Sequence, residues 1–456
     1  MRCALRIPML VVLAAFSGGV VAFAHENSHK LVGSQSCNSA ACHGNQPLHI
    51  RQPRRGEEFA RWLESDPHRR AAETLASDRY RDILLRASGR DDGEIAPQVQ
   101  ARCAKCHDPL GMTGDHRTVS QFGHGIGCES CHGNAEQWLA RHYERDVEPH
   151  ELTALGMVDT KNLFVRGKQC ATCHVGSTTH DMNHDMIAAG HPPLRFELAA
   201  YHDLIPGKHW NENRERLEKR DFQVQLWAAG QTSSASARLE LLTARCNPKQ
   251  SNWPELAEYN CFSCHQSISG TSKGERKLAA GRPQWSPWNL TFAEETKSFI
   301  SLRELFRNDF APDQSTVAKL AAAARQDLAQ TLASKEVTSS DALQWLNSLD
   351  QTPNADWETR CQQYLALVAV ERARRDELAK QRYYEKIDKR AYNRRLNSQQ
   401  ASIRDLQQVR AWLEFEPASA KPVLLDEPVL FREKRAEIGE QLWQIMNRFN
   451  QPPADE

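Results

Sequence analysis

The chain has 456 residues, with 58 Lys plus Arg set against 58 Asp plus Glu, and a hydrophobic fraction of 40%. That balance argues against a nucleic-acid binder, which needs an excess of basic side chains. The length leaves room for two or three domains, but the apolar content is lean for a purely protein core of that size. Bound macrocycles would fill the remainder.

Residues 1–24 read as an export signal. Arg2 and Arg6 supply a positive start, Ile7 to Val21 an apolar stretch, and Ala22-Phe23-Ala24 a small-x-small cleavage site before His25. An uncleaved anchor is the alternative, but Ser17-Gly18-Gly19 interrupts a run already short for a membrane span. The expected location is periplasmic or otherwise extracytoplasmic.

The next stretch, 25–284, is punctuated by cysteines. Cys37 and Cys42 are followed by His43; Cys103 and Cys106 by His107; Cys128 and Cys131 by His132; Cys170 and Cys173 by His174; Cys261 and Cys264 by His265. The last four are Cys-x-x-Cys-His, the attachment signal for c-type haem. Two thiols three positions apart form thioethers with the vinyl groups on one haem edge, and the next residue places its imidazole on the iron. The first site has four intervening residues, and a bulged loop still presents both sulfurs. Its alternative is a local disulfide beside an unrelated His. Zinc sites built from Cys-x-x-Cys pairs do not need His after each second Cys, and a thioredoxin-like motif would occur once. Five covalently attached haem c groups are therefore expected. Cys246 and Cys361 are left over, to pair with each other or to be small buried residues.

Between these motifs the helices are expected to be short. One covers Glu57 to Leu63. A second opens at Asp66-Pro67, with Asp as N-cap and Pro at the first position, and runs to about Ala76. A third, Gly133 to Tyr143, leaves a haem motif. No run alternates as a strand would.

Each motif histidine leaves one iron face open. Five other histidines stand out by position. His68 lies in a first helical turn, and His142 follows His132 by ten residues. His184 and His191 sit seven apart, about 10 Å if helical, with Gly190 and Pro192 ending that helix, so they are expected to serve different irons. His209 precedes Trp210. His49, His116, His124, His180 and His202 are reserves, and Met112, Met182 and Met186 are candidate Met ligands.

From 285 to 456 the character changes. Segments near Ala293 to Arg307, Ser315 to Ser334, Ser340 to Leu349, Asp356 to Arg390, Gln399 to Glu416 and Leu430 to Phe449 show helical periodicity. No His occurs after 265, so no motif histidine exists for a haem there. This part reads as a helical C-terminal domain, or as a helical wrap. Its basic run, Arg382 to Arg395, is a solvated helix face or a docking site for an acidic partner. The fold class expected is mainly α: a multihaem cytochrome c domain of short helices and loops, followed by a helical C-terminal region.

Several segments resemble the multihaem cytochromes of the c-554 type, tetrahaem electron carriers of ammonia oxidisers. They are Val32-Gly33-Ser34-Gln35-Ser36-Cys37, Trp62 with Asp66-Pro67-His68, and Gly125-Ile126-Gly127-Cys128-Glu129-Ser130-Cys131-His132-Gly133. Asn183-His184-Asp185 with Ala188-Ala189-Gly190-His191-Pro192, and Tyr259-Asn260-Cys261-Phe262-Ser263-Cys264-His265, are similar to extended relatives. The resemblance spans about residues 31–265. It implies closely packed haems and mainly bis-His ligation, with His68, His142, His184, His191 and His209 as distal ligands. This chain departs from it in having five motifs rather than four and in its C-terminal third. The expected function is electron transfer with redox partner proteins, a membrane-bound complex among the candidates. The alternative is an oxidoreductase of nitrogen or sulfur compounds using one five-coordinate haem. No Cys-x-x-Cys-Lys is present, although the related nitrite reductases usually carry one.

Overall fold

The computed structural model describes residues 29–45, 56–89, 97–109, 125–205, 208–249, 252–265, 283–293, 296–332, 336–349, 355–415 and 427–451. The export signal, His49, Met112, His116 and His124 lie outside these residues. The chain is mainly α-helical. Among the described residues the one β-type pairing is an isolated bridge between Tyr259 and Trp285.

The haem-motif region is built from short helices started by polar caps. Asn162 caps Leu163–His174 by accepting from Phe164 and Val165 backbone N–H groups, and Asn260 does the same for Phe262 ahead of Cys261–Cys264. A helical turn puts residues i and i+3 on one face, so each Cys-x-x-Cys presents both sulfurs to one side. Pro97–His107, Cys128–His132 and Leu163–His174 all end on their motif histidine.

Two expectations for this region change. Pro67–Ala76 is a 3-10 helix, although Asp66 caps it as expected by accepting from the His68 N–H. Gly133 to Tyr143 is a series of turns, not a continuous helix. Gly133 leaves the helical region at φ 83°, pressed against the Gly156 carbonyl, so the motif helix cannot run on into this segment. The Glu129 carboxylate, 3% exposed, accepts from the backbone N–H groups of Val32, Gly33 and Ala135 and ties the turn in place.

The helix Phe222–Arg245 organises the rest. It is buried along most of its length and carries small residues between Ala228 and Ala235. A helix without a polar face belongs inside a core. On one side it packs against Leu163–His174 and Leu198–Leu204, on the other against Gln314–Leu332 and Trp357–Tyr383. Its N-terminal half shares a core with Ala171, Phe196, Leu198 and Phe262 from the motif region and with Trp357, Leu367, Ile438 and Phe449 from the C-terminal region. Its C-terminal half, with Leu239 and Leu242, packs with Tyr259, Leu302, Phe306 and Val317.

Close approach is built in at Gly230, where an added Cβ would lie 2.5 Å from Leu198 Cβ. Gly230→Ala is therefore expected to cost about 1–3 kcal/mol through overpacking, read as a lower thermal midpoint by circular dichroism. An unchanged midpoint would show that this helix crossing can widen freely.

The C-terminal helices are Lys297–Asn308, Gln314–Leu332, Ser339–Ser348, Trp357–Tyr383, Lys389–Leu413 and Val429–Asn450. The expected break between about 390 and 399 falls instead at Tyr384 to Asp388. There Glu385 has φ 56° and Asp388 caps the next helix by accepting from the Ala391 N–H. The basic run Arg382 to Arg395 thus forms the tip of a helical hairpin, largely exposed. No described helix is long and apolar enough to cross a membrane.

Candidate haem sites

The five motif histidines are each faced by a histidine from outside the motifs. The ring centres of His43 and His142 are 6.1 Å apart, His68 and His174 6.1 Å, His107 and His191 6.4 Å, His132 and His209 6.4 Å, and His184 and His265 6.3 Å. Two metal–imidazole bonds of about 2 Å, each extended by about 1.1 Å to its ring centre, would separate facing imidazoles by about 6.2 Å. The residues therefore fit a metal held between each pair. The ring planes fall into two classes. They are 14° and 23° apart in the His43–His142 and His184–His265 pairs, and 63° to 79° in the other three.

Local contacts orient several of these rings. His142 Nδ1 donates to the Leu139 carbonyl at 2.7 Å, and His191 Nδ1 to the Pro192 carbonyl at 2.8 Å. His107 Nδ1 donates to Thr74 Oγ1 at 3.0 Å, and that hydroxyl donates in turn to the Ala71 carbonyl. His43 Nδ1 meets Glu58 Oε2 at 3.0 Å, and His68 Nδ1 meets Asp66 Oδ1 at 2.8 Å. These bonds hold the proton on Nδ1 and leave Nε2 as the ligand atom. His174 is stacked on Phe196 and meets the edge of Tyr201; Trp138 and Trp210 stand edge-on to His142 and His209.

Burial favours the neutral, metal-binding form in five of these imidazoles. Burial, with His209 and His43 nearby, pushes His132 down to about 4, and burial with His68 and His107 nearby does the same to His174. Burial also lowers His107, His191 and His209. Burial pushes the Glu58 and Asp66 carboxyls up, but the hydrogen bonds from His43 and His68 outweigh it and hold both below their ordinary values.

The sites adjoin one another. Cys37 and Cys128 are within hydrogen-bonding reach. Cys106, Cys173 and His180 place their ligand atoms within 4.8 Å of one another. Both of those thiols belong to attachment motifs, so this cluster marks where two haem sites meet. Met182 and Cys103 pack against one small cluster of Ile83, Met186 and Ala189, which brings the segment carrying His184 near the His107 motif.

The described reserves form none of the five ring pairs, although His180 lies beside Cys106 and Cys173. His202 is buried, 3.2 Å from the Arg166 guanidinium and against Trp210. His180 bonds Ser177 and Thr179. Met182 and Met186 pack with Ile83 and Ala189. Cys246 and Cys361 are free thiols, buried in separate parts of the core. Sequence reasoning missed Glu58, Thr74 and Glu129. Asp66 was read only as a cap, although its place two residues before His68 was a signal for more.

Residues 36–133, about a fifth of the chain, match the family model of cytochrome c554 and c-prime. Over that segment the chain is similar to the cytochrome c554 family. No curated protein and no solved structure matches it. The match takes in the motifs ending at His43, His107 and His132; those ending at His174 and His265 lie beyond it. Similarity to that family points to covalently bound haem c with iron, the cofactor of electron transport.

Proposed function

We propose that this chain is an exported c-type cytochrome that binds five haem c groups. The thioethers would form at Cys37 and Cys42, Cys103 and Cys106, Cys128 and Cys131, Cys170 and Cys173, and Cys261 and Cys264. His43, His107, His132, His174 and His265 would hold the irons together with His142, His191, His209, His68 and His184 in turn. The bound groups supply iron that gains or loses one electron with little change in coordination.

The observation that carries this reading is the repeated spacing of 6.1 to 6.4 Å in all five ring pairs. It favours an electron carrier over the oxidoreductase alternative, because a catalytic iron needs one face without a protein ligand. The adjoining cysteines of neighbouring motifs support a continuous relay, and the Nδ1 hydrogen bonds hold the imidazoles in place through each redox change. Its partners would be redox proteins outside the cytoplasm, a membrane-bound complex among them.

Intact mass of protein matured in a host with cytochrome c assembly machinery is expected to show cleavage before His25 and five haem additions. Four additions, with Cys37 and Cys42 oxidised to each other, would remove the first site. Low-temperature EPR of the oxidised protein is expected to show only low-spin iron, in two classes. Near-parallel imidazoles split the iron orbitals that they overlap, and near-perpendicular ones leave them almost degenerate. Two centres should therefore be rhombic and three strongly anisotropic. One high-spin centre per chain would restore the oxidoreductase reading.

A further inference from the structure

One short helix places a carboxylate against two of the haem sites. Glu58 opens the helix Glu58–Ser65 and bonds His43, while Asp66 follows its last residue and bonds His68. We propose that Glu58 and Asp66 set the reduction potentials of the His43–His142 and His174–His68 haems below that of the His107–His191 haem. This rests on the bis-histidine reading of the sites.

The argument compares acceptors. An imidazole whose Nδ1–H donates to a carboxylate shares its proton with a negative charge, and its Nε2 becomes a more basic ligand. A more basic ligand stabilises ferric over ferrous iron and lowers the potential. His107 and His191 donate to a hydroxyl and a carbonyl, which are neutral. Their bonds orient the ring but add no charge, and charge-assisted hydrogen bonds are about twice as strong as neutral ones.

The two carboxylates should differ in strength. The Asp66 side chain is 9% exposed and the Glu58 side chain 25%. Each carboxylate also accepts from one backbone N–H, that of Gly56 for Glu58 and that of His68 for Asp66, so the difference lies in exposure, and water screens Glu58 more. Asp66 therefore has the larger effect. Its charge also reaches His209, so the His132–His209 haem follows by a smaller amount.

The test uses the mature holoprotein and the isosteric variants Asp66→Asn and Glu58→Gln. Asn is a good helix cap, so the 3-10 helix after Asp66 keeps its start. Glu73→Gln is the control. It removes one negative charge from the same 3-10 helix, where Glu73 pairs with Arg69 in solvent and touches no ring of the five pairs. Redox titrations are followed by EPR and optical spectra.

Asp66→Asn is expected to favour reduction of one haem about tenfold, or about 59 mV for one electron, in the strongly anisotropic class. Glu58→Gln is expected to favour reduction of one rhombic haem about threefold. Unchanged potentials with low-spin spectra retained would overturn the proposal, as would an equal shift from Glu73→Gln. High-spin iron in the unsubstituted protein at either site would instead overturn the ligand assignment beneath it, and the proposal with it.

Discussion

Replacing His191 with Ala is expected to convert one haem of the five from low-spin to high-spin, and to let that haem bind cyanide or nitric oxide. His191 faces His107 at 6.4 Å and follows Gly190, whose φ of 116° turns the chain out of the helix His184–Ala188. Alanine there keeps the backbone and removes the ring. Of the nearby histidines, His184 already faces His265, and His180, beside Cys106, has its Nδ1 bonded to Ser177 and Thr179. The other four haems should keep their spectra, because their ring pairs share no residue with this one. The measurement is EPR with an optical ligand titration. A variant that stays wholly low-spin would show that another side chain, or none from this pair, holds that face.

The second large effect is expected at Glu258. Its side chain is completely buried and joins Arg245 at 2.6 Å and Arg238 at 2.9 Å. Arg245 also reaches Asp181 at 2.6 Å. Glu258→Ala would leave Arg238 and one arm of Arg245 buried without that carboxylate. Breaking a buried ion pair from one side typically costs about 3–5 kcal/mol. The damage should be local as well as global. Glu258 lies three residues before Cys261, and Asp181 three before His184, so the network ties together the two segments that meet at the His184–His265 site. Thermal unfolding followed by circular dichroism should show a much lower midpoint. The rhombic EPR signals should lose or broaden one component before the others change. A midpoint close to that of the unsubstituted protein would mean that water enters and solvates the arginines.

Local chemistry made much of the candidate site legible. A cysteine pair with His after it states its own attachment chemistry, because thioether formation and the proximal ligand lie within a few consecutive residues. Asp66-Pro67 announced a capped start, and the C-terminal helices were readable from periodicity to within a few residues at most ends. Tertiary contacts overrode local preference after the third motif. Gly133, at φ 83°, packs against the Gly156 carbonyl outside the helical region, and the expected helix through Tyr143 became turns.

By itself the sequence determined a mainly helical chain, five candidate attachment sites with their proximal histidines, and a C-terminal region without a histidine. Which histidine meets which motif was decided only by the tertiary structure. His43 meets His142, His107 meets His191, His132 meets His209, His68 meets His174 and His184 meets His265. Each pair is separated by scores of residues, so no local spacing encodes it. The pairing arises when capped helices dock on the buried helix Phe222–Arg245 and on one another. The same docking set Glu58 and Asp66 against imidazole rings, because the direction of a side chain becomes definite only when its helix is packed.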